Sequence, residues 1–176
     1  MLERKLGRTG PVVSAIGLGC MGMSDLYGPA DRAESIATIH AALDAGVTLL
    51  DTGDFYGMGH NEMLINDALD SRTRDNVLIS VKFGALRDPA GNWIGVDGRP
   101  AAVKNFAAYS LKRLGTDHID IYRLARLDPV VPIADTVGLH RRSGQGRLRQ
   151  AYRAVRGRCR YDPQRPCCAS NQRPAD

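Results

Sequence analysis

Val47-Thr48-Leu49-Leu50-Asp51-Thr52-Gly53-Asp54-Phe55-Tyr56-Gly57 decides how this chain is read. A mostly apolar run gives way to an acid, a glycine and a phenol, so polar chemistry sits just past what reads as a buried strand over Val47–Asp51. Downstream, Val77-Leu78-Ile79-Ser80-Val81 runs into Lys82-Phe83-Gly84 and puts an ammonium at the same end of a second apolar strand, Val77–Lys82. Upstream, Val12–Gly19 reads as an earlier strand that closes in Gly17-Leu18-Gly19-Cys20-Met21-Gly22. Polar groups gathered at the C-terminal ends of successive strands suit a parallel α/β barrel.

The segments between these strands carry helical signals. Asp31 with Glu34 makes a capping-box-like start, Ile36, Ile39 and Leu43 form an apolar stripe, and Gly46 suits the helix end. A shorter helix is expected near His60–Leu69, with Ile65, Ala68 and Leu69 inward. Pro100 fits the first turn of a third helix. There Val103, Phe106, Ala107, Ser110, Leu111 and Leu114 recur at helical spacing until Gly115. Ile119–Leu124 reads as a fourth strand, and Pro132 opens a fourth helix whose pattern fades within two turns. The connection from Gly84 to Arg99, with Pro89, Gly91, Trp93, Gly95 and Gly98, is long enough to cover the mouth of a site; the plainer alternative is a disordered insertion.

Taken singly, a carboxylate after a strand is often a cap, a tyrosine there is often packing, and a lysine is usually solvated. Asp51, Tyr56 and Lys82 do not occur singly. With the Gly17–Gly22 stretch, the Asn61-Glu62 pair and Ser110-Leu111-Lys112-Arg113-Leu114-Gly115, they resemble the aldo/keto reductases over roughly residues 4–138. The resemblance implies an α/β fold: a partial TIM (β/α)8 barrel of about four N-terminal βα units, followed by an irregular or disordered basic tail. It implies Asp51, Tyr56 and Lys82 as catalytic residues. Gly19, Cys20, Met21 and Asp51 would contact a cofactor, and NADPH would be the hydride donor for a small-molecule aldehyde or ketone. Side chains supply no hydride, so a nicotinamide must. A free tyrosine ionises near pH ~10, and an adjacent ammonium favours its phenolate, which is the part the resemblance gives to Lys82 beside Tyr56, with Asp51 pairing Lys82.

One family position departs from the pattern. Where a histidine is expected after the fourth strand, Asp120-Ile121-Tyr122-Arg123-Leu124-Ala125-Arg126-Leu127-Asp128 has Ala125, so orientation of the substrate would fall to another group such as Arg123 or Arg126. His60 and His118 lie elsewhere and read as surface residues. The Gly17-x-Gly19-x-x-Gly22 spacing also satisfies a dinucleotide fingerprint, but no helix opens promptly after Gly22, so that match is weak. A catalytically silent or regulatory binding module of the same ancestry is the alternative function.

Composition separates the body from the tail. Hydrophobic residues at 43% and charged residues at 24% suit a globular protein. The net charge of +5 is unevenly placed: residues 1–138 hold 14 Lys/Arg against 17 Asp/Glu, and residues 139–176 hold 10 Arg against 2 Asp. The body is therefore acidic, and a nucleic-acid partner is not favoured. Cys20 stands in the body while Cys159, Cys167 and Cys168 crowd the tail, with neither disulfide framework nor zinc spacing; no metal is expected. Met1-Leu2-Glu3-Arg4-Lys5 lacks the apolar core of a signal peptide, and no segment reaches the ~20 apolar residues of a membrane span, so a cytoplasmic location is expected.

From Leu139 onward apolar periodicity vanishes and Arg, Pro, Gln and Cys dominate. Read one base out of frame with suitable codons, Ala151–Gly157 gives RIGLSEV, similar to the sixth-strand motif of the reductases, and Leu139–Gln150 gives ACIADLVKAGYVR, an amphipathic helix and turn. Each shifted position permits only a small set of amino acids, so a run of acceptable choices is informative. Residues 1–138 thus read as the N-terminal half of a barrel, and residues 139–176 as an out-of-frame, Arg-rich tail.

Overall fold

The computed structural model describes residues 1–24, 26–69 and 74–142, with side chains through Val137. The expectations for the tail from Ser143 lie outside the described residues. Among these residues no helix is long and apolar enough to cross a membrane.

Four parallel strands form the central sheet in the order β3 (Leu18–Gly19), β4 (Leu49–Gly53), β5 (Leu78–Phe83) and β8 (Ile121–Leu124). Helices α1 (Arg32–Asp44), α2 (His60–Ala68) and α3 (Pro100–Arg113) fill the connections, and α4 (Ile133–Arg142) follows β8. The βα alternation expected from the sequence is therefore the architecture, an α/β fold with the strand order of one part of a (β/α)8 barrel. The register pairs Gly19 with Asp51, Asp51 with Ser80, Gly53 with Lys82, and Lys82 with Arg123.

Strand pleat sorts the two faces. Leu50, Thr52, Ile79, Val81, Phe83 and Tyr122 are buried, most of them in the core shared with Ile39, Ile65, Val103 and Ala107 of the helices. Phe83 stacks on Tyr122 with ring centroids 4.2 Å apart. Residues of the opposite parity, Asp51, Ser80, Lys82 and Arg123, share the other face. The helix ends are set locally: Asp31 accepts the Glu34 backbone N–H at 2.8 Å. At the C-terminus of α1, the Gly46 and Val47 N–H groups bond back to Leu43 and Ala42, a Schellman closure that needs the left-handed φ of +86° at Gly46.

One expectation is corrected. Val12–Gly19 is not one strand: Val12–Ser14 (β2) pairs antiparallel with Glu3–Lys5 (β1), and only Leu18–Gly19 joins the parallel sheet. The chain turns between them because the Ser14 hydroxyl donates to the Ile16 carbonyl at 2.7 Å while the Ser14 N–H donates to Thr48 Oγ1 at 2.8 Å. The Gly84–Arg99 connection, expected as a loop over the mouth of a site, forms an antiparallel hairpin, β6 (Ala85–Arg87) and β7 (Trp93–Val96), and its disordered alternative is set aside. The base of this segment is fastened by Asp128, whose carboxylate accepts the Gly98 N–H at 2.7 Å, and by Thr136, whose hydroxyl donates to the Gly98 carbonyl at 2.9 Å.

Candidate active site

Asp51, Tyr56 and Lys82 are brought together as expected. Lys82 Nζ donates to Asp51 Oδ2 at 2.7 Å and to Tyr56 OH at 2.6 Å. Burial disfavours the Lys82 ammonium, but the bonds to Asp51 and Tyr56 outweigh it and hold its pKa above the ordinary lysine value. Burial likewise disfavours the Asp51 carboxylate, yet hydrogen bonds from Lys82 and Arg123 hold its pKa below the ordinary aspartate value. Arg123 Nη2 donates to Asp51 Oδ1 at 2.5 Å, and its Nε donates to Ser80 Oγ at 3.2 Å.

Tyr56 depends on the loop that follows β4. The Asp54 N–H donates to the Lys82 carbonyl at 2.9 Å, which pins the start of that loop to β5. Its exit runs through left-handed backbone at Gly57, Met58 and Gly59, with φ of 54°, 54° and 98°. A Cβ on Gly59 would come within 2.5 Å of Arg113 Nε, so glycine is required there by both conformation and space. Arg113 in turn donates to Glu62 Oε2 at 3.1 Å and to the Asp54 carbonyl at 3.4 Å, clamping the underside of the loop to α3. On its other side, Tyr56 meets Phe55 edge-on at 4.9 Å between centroids, Phe55 meets Trp93 at 5.3 Å, and the Arg87 guanidinium lies 4.7 Å from the Trp93 ring. The hairpin thus stands beside the site, as the long connection suggested.

The first βα loop is placed by Asn61, which is fully buried. Asn61 Nδ2 donates to the Cys20 carbonyl at 2.7 Å and to Ser24 Oγ at 2.8 Å, while its Oδ1 accepts from Thr52 Oγ1 at 2.6 Å. The Cys20 N–H donates to the Asp51 carbonyl at 2.9 Å, so both backbone groups of Cys20 are engaged within the chain. Its thiol is pushed up to about 12 by burial and then by the Asp51 charge, and it stays neutral and unreactive. Gly19, in register with Asp51, borders open space: a Cβ there would meet nothing within 4 Å. Met21 is half-buried and begins a 3-10 turn over Met21–Met23.

At the position of the missing histidine, the Ala125 N–H is used by the Phe83 carbonyl at 2.8 Å. Of the two arginines that could compensate, Arg123 reaches Asp51, whereas Arg126 bonds the Ala125 carbonyl. His60 is the exposed first residue of α2 and bonds Ser24 Oγ at 2.9 Å. His118 is half-buried between Asp117 and Asp120, away from this site. Among the described residues no group of His, Cys, Asp and Glu could hold a metal ion. Sequence reasoning missed the buried role of Asn61, the Asp54, Glu62 and Arg113 group, and the contact of Trp93 with Phe55. Asn61 and Glu62 did carry a signal, since both fall on the inward face marked by Ile65 and Leu69.

Comparison with known proteins gives the same ancestry. Residues 15–150 match the aldo/keto reductase family. A probable aldo-keto reductase from Glycine max is 38% identical over 135 residues, covering 76% of this chain and 39% of that protein. Among solved structures, an aldo-keto reductase from Bacillus halodurans in its holo form superposes with a TM-score of 0.70 at 33% identity, covering 80% of this chain and 45% of the other. A glycerol dehydrogenase from Gluconobacter oxydans superposes with a TM-score of 0.66 at 28% identity, covering 78% and 42%. The chain spans less than half the length of each of these relatives. Its matched segment, its strand order and its Asp51, Tyr56 and Lys82 cluster agree, and the chain belongs to the aldo/keto reductase family.

Proposed function

We propose that this site reduces the carbonyl of a small aldehyde or ketone, with NADPH as the hydride source and Tyr56 as the proton donor. The observation that carries the reading is the placement of Lys82 Nζ within 2.7 Å of Asp51 Oδ2 and 2.6 Å of Tyr56 OH. An ammonium has no acceptor, so the Tyr56 oxygen accepts from Lys82 and its own proton is left to donate elsewhere. Lys82 stabilises the phenolate that forms when that proton leaves, and Asp51 keeps Lys82 charged and oriented. Burial of Tyr56 behind Phe55 and Trp93 limits competing water.

When bound, the nicotinamide supplies the hydride that no side chain provides. The residues present fit such a group. Gly19 leaves the space beside Asp51 open where any larger residue would project a side chain, whereas Cys20 is buried in the core beneath it and Met21 is half-buried. NADPH consumption with a panel of aldehydes and ketones tests the reading. Tyr56→Phe should lower turnover by about 10²–10⁴-fold, and a variant retaining the full rate would exclude Tyr56 as the donor.

A second reading, a silent binding module of reductase ancestry, draws on Ala125 in the place of the family's histidine. Titration by nicotinamide fluorescence separates the two: absence of NADPH binding at high micromolar concentration rejects the enzyme reading for this chain.

A further inference from the structure

We propose that Arg123 is a positioning residue of this site, one that shares the Asp51 carboxylate with Lys82 and thereby leaves net positive charge beside the Tyr56 hydroxyl. The inference rests on the proton-donor reading of Tyr56 and assigns a role which that reading leaves open.

Asp51 divides its two oxygens between two cations: Oδ2 accepts from Lys82 at 2.7 Å and Oδ1 accepts from Arg123 at 2.5 Å. With Lys82 alone, Asp51 would form a neutral pair, and most of the ammonium's pull on the neighbouring phenol would be cancelled. With Arg123 added, one negative charge lies between two positive ones, and the excess positive charge favours the negative state that Tyr56 reaches when it gives up its proton. An arginine provides this at any working pH because it does not lose its proton.

Position supports the assignment as much as charge does. Arg123 is the strand neighbour of Lys82, and Ser80 is the strand neighbour of Asp51. Arg123 binds Asp51 through Nη2 and Ser80 through Nε, so one planar group spans β5 and β4 and holds the carboxylate in its orientation toward Lys82. A lysine at this position retains the charge without this fork.

The other ionisable groups around the phenol do not supply the same effect. Cys20 faces Asp51 and Lys82 as a neutral thiol. Asp54, Glu62 and Arg113 lie on the underside of the loop, where Arg113 is committed to Glu62. Arg87 is stacked over Trp93, with Phe55 between that ring and Tyr56. The Arg123 side chain is 45% exposed, so solvent screening moderates the effect.

The test needs neither cofactor nor substrate. Tyrosinate absorbance at 295 nm is followed against pH for the full chain and for Tyr56→Phe, and the difference isolates the step due to Tyr56. The same pair is measured with Arg123→Met, Arg123→Gln and Arg123→Lys. The step is expected to move to higher pH in both neutral variants and to return toward the wild-type position in Arg123→Lys. An unmoved step in either folded neutral variant overturns the proposal, as does an Arg123→Lys step that coincides with the neutral ones. Two neutral variants of different polarity keep the test available if one fails to fold. Full turnover by Tyr56→Phe would defeat the donor reading while leaving the result on Arg123 intact.

Discussion

Asp54 and Asp51 lie three residues apart and face opposite electrostatic surroundings. Asp51 has two cations on its oxygens. Asp54 is buried near Glu62, and these two effects outweigh the Arg113 charge and push its carboxyl up to about 7. The folded chain therefore keeps a proton on Asp54 at pH values where the unfolded chain has released it, so stability falls as pH rises from about 4 to about 7 and the loss is complete above that. The difference between the folded value of about 7 and the ordinary 3.8 sets an upper bound of roughly 4 kcal/mol. Asp54→Asn is expected to raise the Tm at pH 8 and to change it little at pH 4; equal shifts at both pH values would show that ionisation of Asp54 is not the cause. This behaviour was not legible in the sequence, because it depends on Glu62 and Arg113 arriving beneath the loop from other elements. Asp51, Tyr56 and Lys82 were legible because each ends an apolar strand or begins the loop after one, and a single chemical task needs all three.

At the scale of elements, sequence signals were clearest where a local group closes a helix. The Asp31 cap lay in the sequence as an Asp followed three residues later by Glu. Asp31→Ala should cost about 1 kcal/mol, read as a lowered denaturant midpoint with an unchanged slope. Partners of short strands were less legible, since Val12–Gly19 has the same apolar character whether it runs straight or turns at Ser14. The turn is set by Thr48, far along the chain. The entry to α2 belongs to this scale too. Gly59→Ala would force a strained φ and bring a methyl group against Arg113, with an expected cost of about 1–3 kcal/mol and a fall in turnover larger than any fall in NADPH affinity, because Tyr56 moves with the loop. Equal losses in the two measurements would place the damage elsewhere. A third group, Arg74, bonds the carbonyls of Val77 and His118 and the carboxylate of Asp120, while Asp120 accepts the Ile79 N–H. It ties the N-terminal ends of β5 and β8, opposite the site, and no sequence pattern announced it because half of its acceptors are backbone carbonyls and the others, Asp120 and Thr116, lie more than forty residues away.

For the whole molecule, the described sheet has β3 and β8 as its outer strands, each with one neighbour. Leu127 and Val130, just beyond β8, are 69% and 85% exposed. Open edges and exposed apolar groups favour association. Replacing Leu127 and Val130 by Lys is expected to lower light scattering during concentration, and unchanged scattering would remove these residues from the account. The register of β5 has a different consequence. Ile79, Val81 and Phe83 are buried on one side of the strand and Ser80 and Lys82 stand on the other, so a one-residue slip would drive Lys82 into the core and expose Phe83. The apolar side chains therefore act as a proofreading device for the charged ones: they touch none of the chemistry, yet they make any slip that would turn Lys82 away from the Asp51 face too costly to populate.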